Sequence, residues 1–495
     1  MSSESAMLGT FEKLLQSLDD CQCEETLEIE KLCSEVDAAF QHDSGDSLCF
    51  LHSSDNVRKA VTKAITSLVR KTMLPQSLSN ENEDDHFQET ARITAVVGAT
   101  CSAILSNLHK GQSSFGDTDE SKDEAQRLFR DVVLAVAPHC MVLVATHCEK
   151  QPWTSKKSRL NTEGLCALLC KMSGCNSVVE LLVQGPAWCR GSHDKGVFKD
   201  VLGLLKERLT RDQWHREPAT RQAFRWCLFQ IRHPHLSHHL DSILPASLLF
   251  TDDYKESNKC LGILCLQHII DNVDPTDLRL HGRSMVIYEA LHHQLYTQKP
   301  TLISQLLPCL ISILTVIERS PHKADEQRKP NRYDAVLQTV LVSMEFEQKL
   351  ALRQAYAKKL YLFIDSMGIT ILRHMKQVLR VILKYLEASE GQDDLSRTYT
   401  LRSLNSLILQ SWPRIPIHWN AIIKVLLKLL CDACDNCSHI DKDARRPILD
   451  GCVDCLLLLK RCCSKETEGA LREILAINTD RSDAMKEYLE RVLAG

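Results

Sequence analysis

From Tyr254 onward the apolar residues return at helical spacing, in paired blocks. The blocks begin near Tyr254, Pro300, Leu350, Asp394 and Lys442, at intervals of 46, 50, 44 and 48 residues. One amphipathic helix pair cannot bury both of its apolar faces, whereas stacked copies can. A helix-pair period of about 40–47 residues therefore belongs to stacked helical arrays. Within the blocks, Leu401, Leu404, Leu407 and Ile408 follow the spacing of one helix face, and Leu426, Leu429 and Leu430 do the same. Alternating strand-like runs are missing. Gly (18), Pro (15) and aromatics (5%) are too sparse for a many-stranded fold. The prediction is an all-α chain of roughly twenty helices.

The repeat class is HEAT-like or armadillo-like, a helical-repeat solenoid. Leu244–Ile270 reads LPASLLFTDDYKESNKCLGILCLQHII and fits one such unit. Pro245 falls where the first helix is often kinked, and Leu248 and Leu249 face its partner. Asp252 and Asp253 occupy the turn, where carboxylates cap the next helix. Lys259 stands where an Arg commonly pairs with such an Asp, so the three charges are assigned a structural role. Polar breaks organise the rest: 41–55, 76–86 (with ENEDD), 110–122, 151–159, 185–196 and 320–331. They suggest a divergent helical region with acidic flexible loops over residues 1–122, helical repeats over 123–250, and a HEAT-like array over 251–495.

Charge narrows the function. Sixty Lys+Arg against 64 Asp+Glu gives a net −4, which argues against nucleic-acid binding by bulk charge. The first residues, MSSESAMLGTFEKLLQS, lack a basic segment and an apolar core, so no secretory signal is expected. No unbroken apolar run approaches the roughly 18 residues of a bilayer span. Val132–Thr146 is interrupted by Pro138 and His139, and Leu306–Ile317 is short, so no membrane is expected. The 22 cysteines are then reduced thiols, and a cytoplasmic and nuclear location follows.

Catalytic motifs fail on chemistry. Gly191 and Gly196 have the spacing of a phosphate loop, but Val197 and Phe198 replace the Lys and hydroxyl that phosphate and Mg²⁺ need. No nucleophile elbow or HExxH occurs. No catalytic residue and no cofactor are assigned. Zinc candidates are Cys434, Cys437, Cys452 and Cys455, with Cys431 and His439 beside them. The flanks LLKLL and LLLLK make both pairs helical, and cysteines three apart on a helix share one packed face. His233, His235, His238 and His239 surround Pro234 and read as a solvated turn. Surface aromatics are the better functional clue. Trp412, Arg414 and Trp419 lie in SWPRIPIHW, and Trp and Arg are favoured at interface hot spots. Trp214 and Trp226 form a second cluster, with Trp226 expected to be buried.

The stretch from Trp214 to Leu310 resembles a known family. It carries WHREPATRQAFRWCLFQIRHPHL, then LPASLLFTDDYKESNKCLGILCLQHII, then GRSMVIYEALHHQLYTQKPTLISQLLPCLISIL. The order of an acidic DDYK turn, a Lys–x–Leu–Gly helix and an ALHHQLY helix is similar to the Tel-two-interacting proteins of the second type. These are subunits of the triple-T cochaperone complex. The resemblance implies a non-enzymatic scaffold bound to two other helical-repeat subunits. It implies work with the ninety-kilodalton heat-shock chaperone and its adaptor complex to mature phosphatidylinositol-3-kinase-related kinases, clients in growth, DNA-damage signalling and RNA surveillance. The alternatives from other classes are a karyopherin-like transport receptor and a zinc-binding helical regulator.

Overall fold

A computed structural model describes residues 30–31, 33–35, 55–72, 83–113, 119–189, 196–319, 329–389, 394–435, 441–476 and 480–495. Among the described residues there is no strand, and helices account for nearly all of them. By contacts the chain divides into two compact units, Met1–Ala246 and Ser247–Gly495.

The first unit contains α1 (Asp55–Thr72), α2 (Glu83–Ser113), α3 (Asp119–His147), α4 (Lys156–Met172), α5 (Val178–Gln184), α6 (Val197–Lys206) and α7 (Pro218–Gln230). Helix α3 is its centre, touching α1, α2, α4, α6 and α7. Val133, Val136, Ala137, Cys140, Met141 and Val144 are buried along it. Each large apolar side chain so buried contributes about 1.5–3 kcal/mol. Helix α4 starts where Ser155 and Ser158 cap each other's amides. Two of the expected loops shrink. Helix α2 begins inside the ENEDD run at Glu83, and only 114–118 of the loop at 110–122 lie outside the helices and the described residues. The predicted loop at 41–55 lies outside the described residues up to residue 54.

The unit boundary falls within α8 (Leu240–Thr251). The second unit continues with α9 (Glu256–Asn272), α10 (Pro275–Arg279), α11 (Arg283–His293), α12 (Pro300–Ile317), α13 (Arg332–Phe346), α14 (Leu350–Met367), α15 (Met375–Glu387), α16 (Leu395–Ser411), α17 (Ile415–Cys434), α18 (Lys442–Cys462), α19 (Ser464–Ala476) and α20 (Asp480–Ala494). The predicted repeat starts coincide with α9, α12, α14, α16 and α18 to within two residues. These five helices pack side by side in one layer. Helices α11, α13, α15 and α17 form the second layer, each against the next first-layer helix in the chain. Alternation between layers makes the first-layer helices parallel. Their starts therefore share one edge of the unit and their ends the other.

Leu401, Leu404, Leu407 and Ile408 are buried, as are Leu426, Leu429 and Leu430. Gly262 explains how α9 sits so close to α8. A Cβ there would lie 2.4 Å from the Thr251 amide nitrogen. Polar ties cross the layers. Asp334 on α13 caps its own helix with Asn331 and accepts from His374 at 2.8 Å and Arg373 at 3.2 Å. The Arg353 guanidinium on α14 stacks 3.9 Å from the Tyr385 ring on α15. At the start of α16, Asp394 (φ 40°) is fully buried and pairs with Arg397 at 2.9 Å.

One sequence expectation is corrected. Phe87–Lys110, Phe129–His147 and Pro300–Ile317 are each long and apolar enough to cross a membrane. An unbroken run is a stricter demand than an apolar average, and α3 continues through Pro138 rather than stopping there. The protein buries 56%, 72% and 50% of these stretches, so a large share of that apolar surface serves packing.

Candidate functional site

The end of α16 carries the most exposed apolar side chains on its edge. The stripe that buries Leu404, Leu407 and Ile408 leaves Leu409 on the outer side, 55% exposed. The turn then presents Trp412 at 63% and Ile417 at 69% exposure. Pro413 and Pro416 hold this turn as a 3₁₀ segment running into α17. Arg414 is exposed between them, and no carboxylate pairs with it among the described residues. Leu409, Trp412, Arg414 and Ile417 thus form a patch of the composition that protein interfaces use: an aromatic anchor, aliphatic neighbours and an arginine.

Trp419 is different. It is half-buried, and its indole donates to Thr467 Oγ1 at 2.9 Å, tying α17 to the start of α19. The sequence grouped it with Trp412 because both lie in SWPRIPIHW; the geometry separates them. Leu409 and Ile417 were missed from the sequence. Leu409 falls off the 401/404/407/408 stripe, and that displacement was the available signal.

The structural charges are also redistributed. Asp253 is buried and accepts from the Tyr254 amide at 2.8 Å and from Asn258. Asp252 is exposed. Lys259 reaches Gln294 Oε1 at 2.6 Å, not an Asp of the turn. Asn258 lies one residue nearer the acidic loop on the same helix, and it takes the role expected of residue 259.

The C-terminal cysteines sit on facing helices, Cys431 and Cys434 near the end of α17 and Cys452 and Cys455 on α18. Cys452 and Cys455 are fully buried, and Cys455 Sγ donates to the Leu401 carbonyl at 3.5 Å. Burial pushes the Cys434 thiol up to about 11 and raises Cys452 and Cys455 further. Metals are ligated by thiolates, so a raised thiol pKa opposes them. Cys437 and His439 lie outside the described residues, and among the described residues no group of three or more His, Cys, Asp or Glu could hold a metal. In the first unit, burial likewise raises Cys140 and Cys148 to about 12. Cys166 is lowered by its hydrogen bond with Cys170, one turn along α4.

His233, His235 and His238 are exposed around Pro234, while His239 packs edge-on to Phe198 at 4.8 Å. Of the two tryptophans in the Trp214 cluster, Trp214 is the buried one at 1% exposure, with Arg221 over its ring at 5.4 Å. Trp226 is half-buried, reversing the sequence expectation. Trp214 opens a 3₁₀ turn that folds under α7, a placement helical spacing does not register.

The Tti2 family description matches residues 202–393. The TELO2-interacting protein 2 of Rattus norvegicus is 39% identical over 342 residues, 69% of this chain and 66% of the relative. That of Homo sapiens is 36% identical over 352 residues, 71% of this chain and 68% of the relative. The matched region thus spans about two thirds of the length of each relative. Among solved structures, yeast importin-beta (Kap95p) aligns over 98% of this chain and 65% of its own, at 12% identity and a TM-score of 0.47. A similarity of that size separates no function from another.

Proposed function

The chain belongs to the Tti2 family, and from that premise we propose that it is a scaffold subunit of the triple-T cochaperone complex. Its partners are two other helical-repeat subunits, one of them the TELO2 protein named in the relatives' description. With the ninety-kilodalton heat-shock chaperone and its adaptor complex, the assembly matures and stabilises phosphatidylinositol-3-kinase-related kinases in cytoplasm and nucleus. The reading assigns no catalysis, no nucleic acid and no membrane to this chain. Kinship over two thirds of the relatives' length carries it.

The mechanism is docking by surface complementarity. The Leu409–Trp412–Arg414–Ile417 patch supplies one contact, since it gathers three exposed apolar side chains beside an exposed arginine. A stable interface of this kind buries more than about 1,000 Å².

The test is purification of the tagged full chain at about 0.15 M salt, followed by quantitative mass spectrometry. Stoichiometric TELO2 and a second helical-repeat subunit, with substoichiometric giant kinases, are expected. Trp412→Ala with Arg414→Glu should lower recovery of one subunit by tenfold or more, about 1.4 kcal/mol. Recovery of a Ran-type GTPase and nuclear-pore proteins instead would establish the transport-receptor reading.

A further inference from the structure

The opposite edge of the second unit, where the first-layer helices begin, carries a repeated device. Three successive turns each expose one aromatic ring: Tyr254 at 78%, Tyr296 at 68% and Phe346 at 75%. Each ring is followed within three residues by a lysine, and that lysine is the N-cap of the next first-layer helix: Lys255 before α9, Lys299 before α12 and Lys349 before α14. Lysine is a poor choice there. It cannot accept from the free amides, and its charge has the same sign as the helix terminus. None of the three helices has a side-chain cap.

Among the carboxylates nearby, Glu345 is neutralised by an arginine, whereas Glu256 and Glu347 bond to neutral donors and keep their charge. Glu256 accepts from Thr301, Glu345 pairs with Arg380 at 3.0 Å, and Glu347 accepts from the amides of Gln348 and Lys349 at 2.9 and 2.8 Å. Lys255, Lys299 and Lys349 form no ion pair among the described residues, and Asp252 is the exposed carboxylate of the first turn. Lys255 instead lies 5.8 Å from the Tyr254 ring centre. Beside the third ring a cavity of 550 Å³ is lined by Phe346, Leu350, Arg353 and Lys384.

We propose that this edge docks an acidic amphipathic helix from a partner protein, its apolar residues seated on Tyr254, Tyr296 and Phe346 and its carboxylates facing the three lysines. The proposal rests on the scaffold reading only in requiring a protein partner, and it adds a second surface to it. The occupant's secondary structure follows from spacing. Packed helices lie about 8–10 Å apart, so the rings recur at about that distance. Seven residues of helix advance about 10.5 Å and return to the same face. An extended chain returns to the same face every two residues, about 6.6 Å, and a three-residue step puts the side chain on the wrong side. The exposed rings and the net charge of −4 favour protein over nucleic acid.

The probe is a fluorescein-labelled peptide of about three heptads, with leucine at the heptad anchor positions and glutamate elsewhere, titrated against the full chain by fluorescence anisotropy. Wild type should bind it, more weakly as salt rises. Lys255→Glu with Lys299→Glu and Lys349→Glu should weaken binding at least tenfold, and so should Tyr254→Ala with Tyr296→Ala and Phe346→Ala. Leu160→Ala, exposed in the first unit and outside both surfaces, should leave it unchanged. All substituted side chains are exposed, and the thermal midpoint checks that the variants fold. Equal affinity for a peptide with lysine in place of every glutamate would overturn the proposal on the wild-type chain alone. So would preferential binding of duplex DNA, or aromatic-dependent self-association of the chain. Failure to co-purify TELO2 would remove the scaffold reading while leaving the peptide result standing.

Discussion

At the scale of single residues, the second unit depends on positions where a side chain is excluded or a charge is neutralised. Gly262 is one. Alanine would place a methyl against the Thr251 backbone, so Gly262→Ala should destabilise the protein by about 1–3 kcal/mol through overpacking, measurable by urea denaturation. Asp334 is another. Burial alone would raise its carboxyl, but the Asn331 amide, His374 and Arg373 hold it below its ordinary 3.8. A group depressed in the folded state stabilises at pH values above its unfolded pKa and loses that contribution as pH falls through the folded value. Unfolding free energy should therefore be flat near neutrality with respect to Asp334 and decline below about pH 4. Asp334→Asn should remove this part of the slope and cost about 1.5–3 kcal/mol at pH 7. Charge partners were the least legible feature of the sequence. Spacing brought Lys259 near Asp252 and Asp253, yet Asn258 takes the buried carboxylate and Lys259 reaches Gln294, 35 residues away.

At the scale of elements, the periodicity that marked repeat starts also marks which faces cannot tolerate loss. Leu404 is fully buried on α16, between α14 and α18. Leu404→Ala should cost about 2–5 kcal/mol, whereas Leu409→Ala, 55% exposed on the same helix, should change stability by less than about 0.5 kcal/mol. The contrast is readable in paired denaturation curves. The helix starts at Pro300, Leu350 and Lys442 were legible because polar residues interrupt the apolar spacing just before each of them. The 3₁₀ turns were not, since they carry no period of their own, and Trp214 was misplaced relative to Trp226 for that reason. The exposed rings were invisible to a search for apolar stripes. Tyr254 lies in a turn, Tyr296 in a 3₁₀ segment and Phe346 at the last residue of α13, and only their recurrence just before successive first-layer helices distinguishes them.

At the scale of the whole molecule, the thiols give a measure of how tightly the helices close. Burial raises Cys140 and Cys148 to about 12 and Cys434 to about 11, and raises Cys227, Cys309, Cys452 and Cys455 as well. Native protein at pH 8 should therefore leave these cysteines unmodified by iodoacetamide, while Cys166, half-buried and with its thiol lowered by Cys170, reacts before them. Mass spectrometry after a short pulse distinguishes them, and denaturant should abolish the order. The ladder of rings has a consequence for assembly too. Three equivalent rungs would let a bound helix slip by one repeat and still find an aromatic and a lysine. The fourth rung differs: its N-cap is Asp394 in place of a lysine, sealed against Arg397. The ladder is therefore bounded on that side, and a partner that reaches past Phe346 meets a carboxylate already matched to its own arginine.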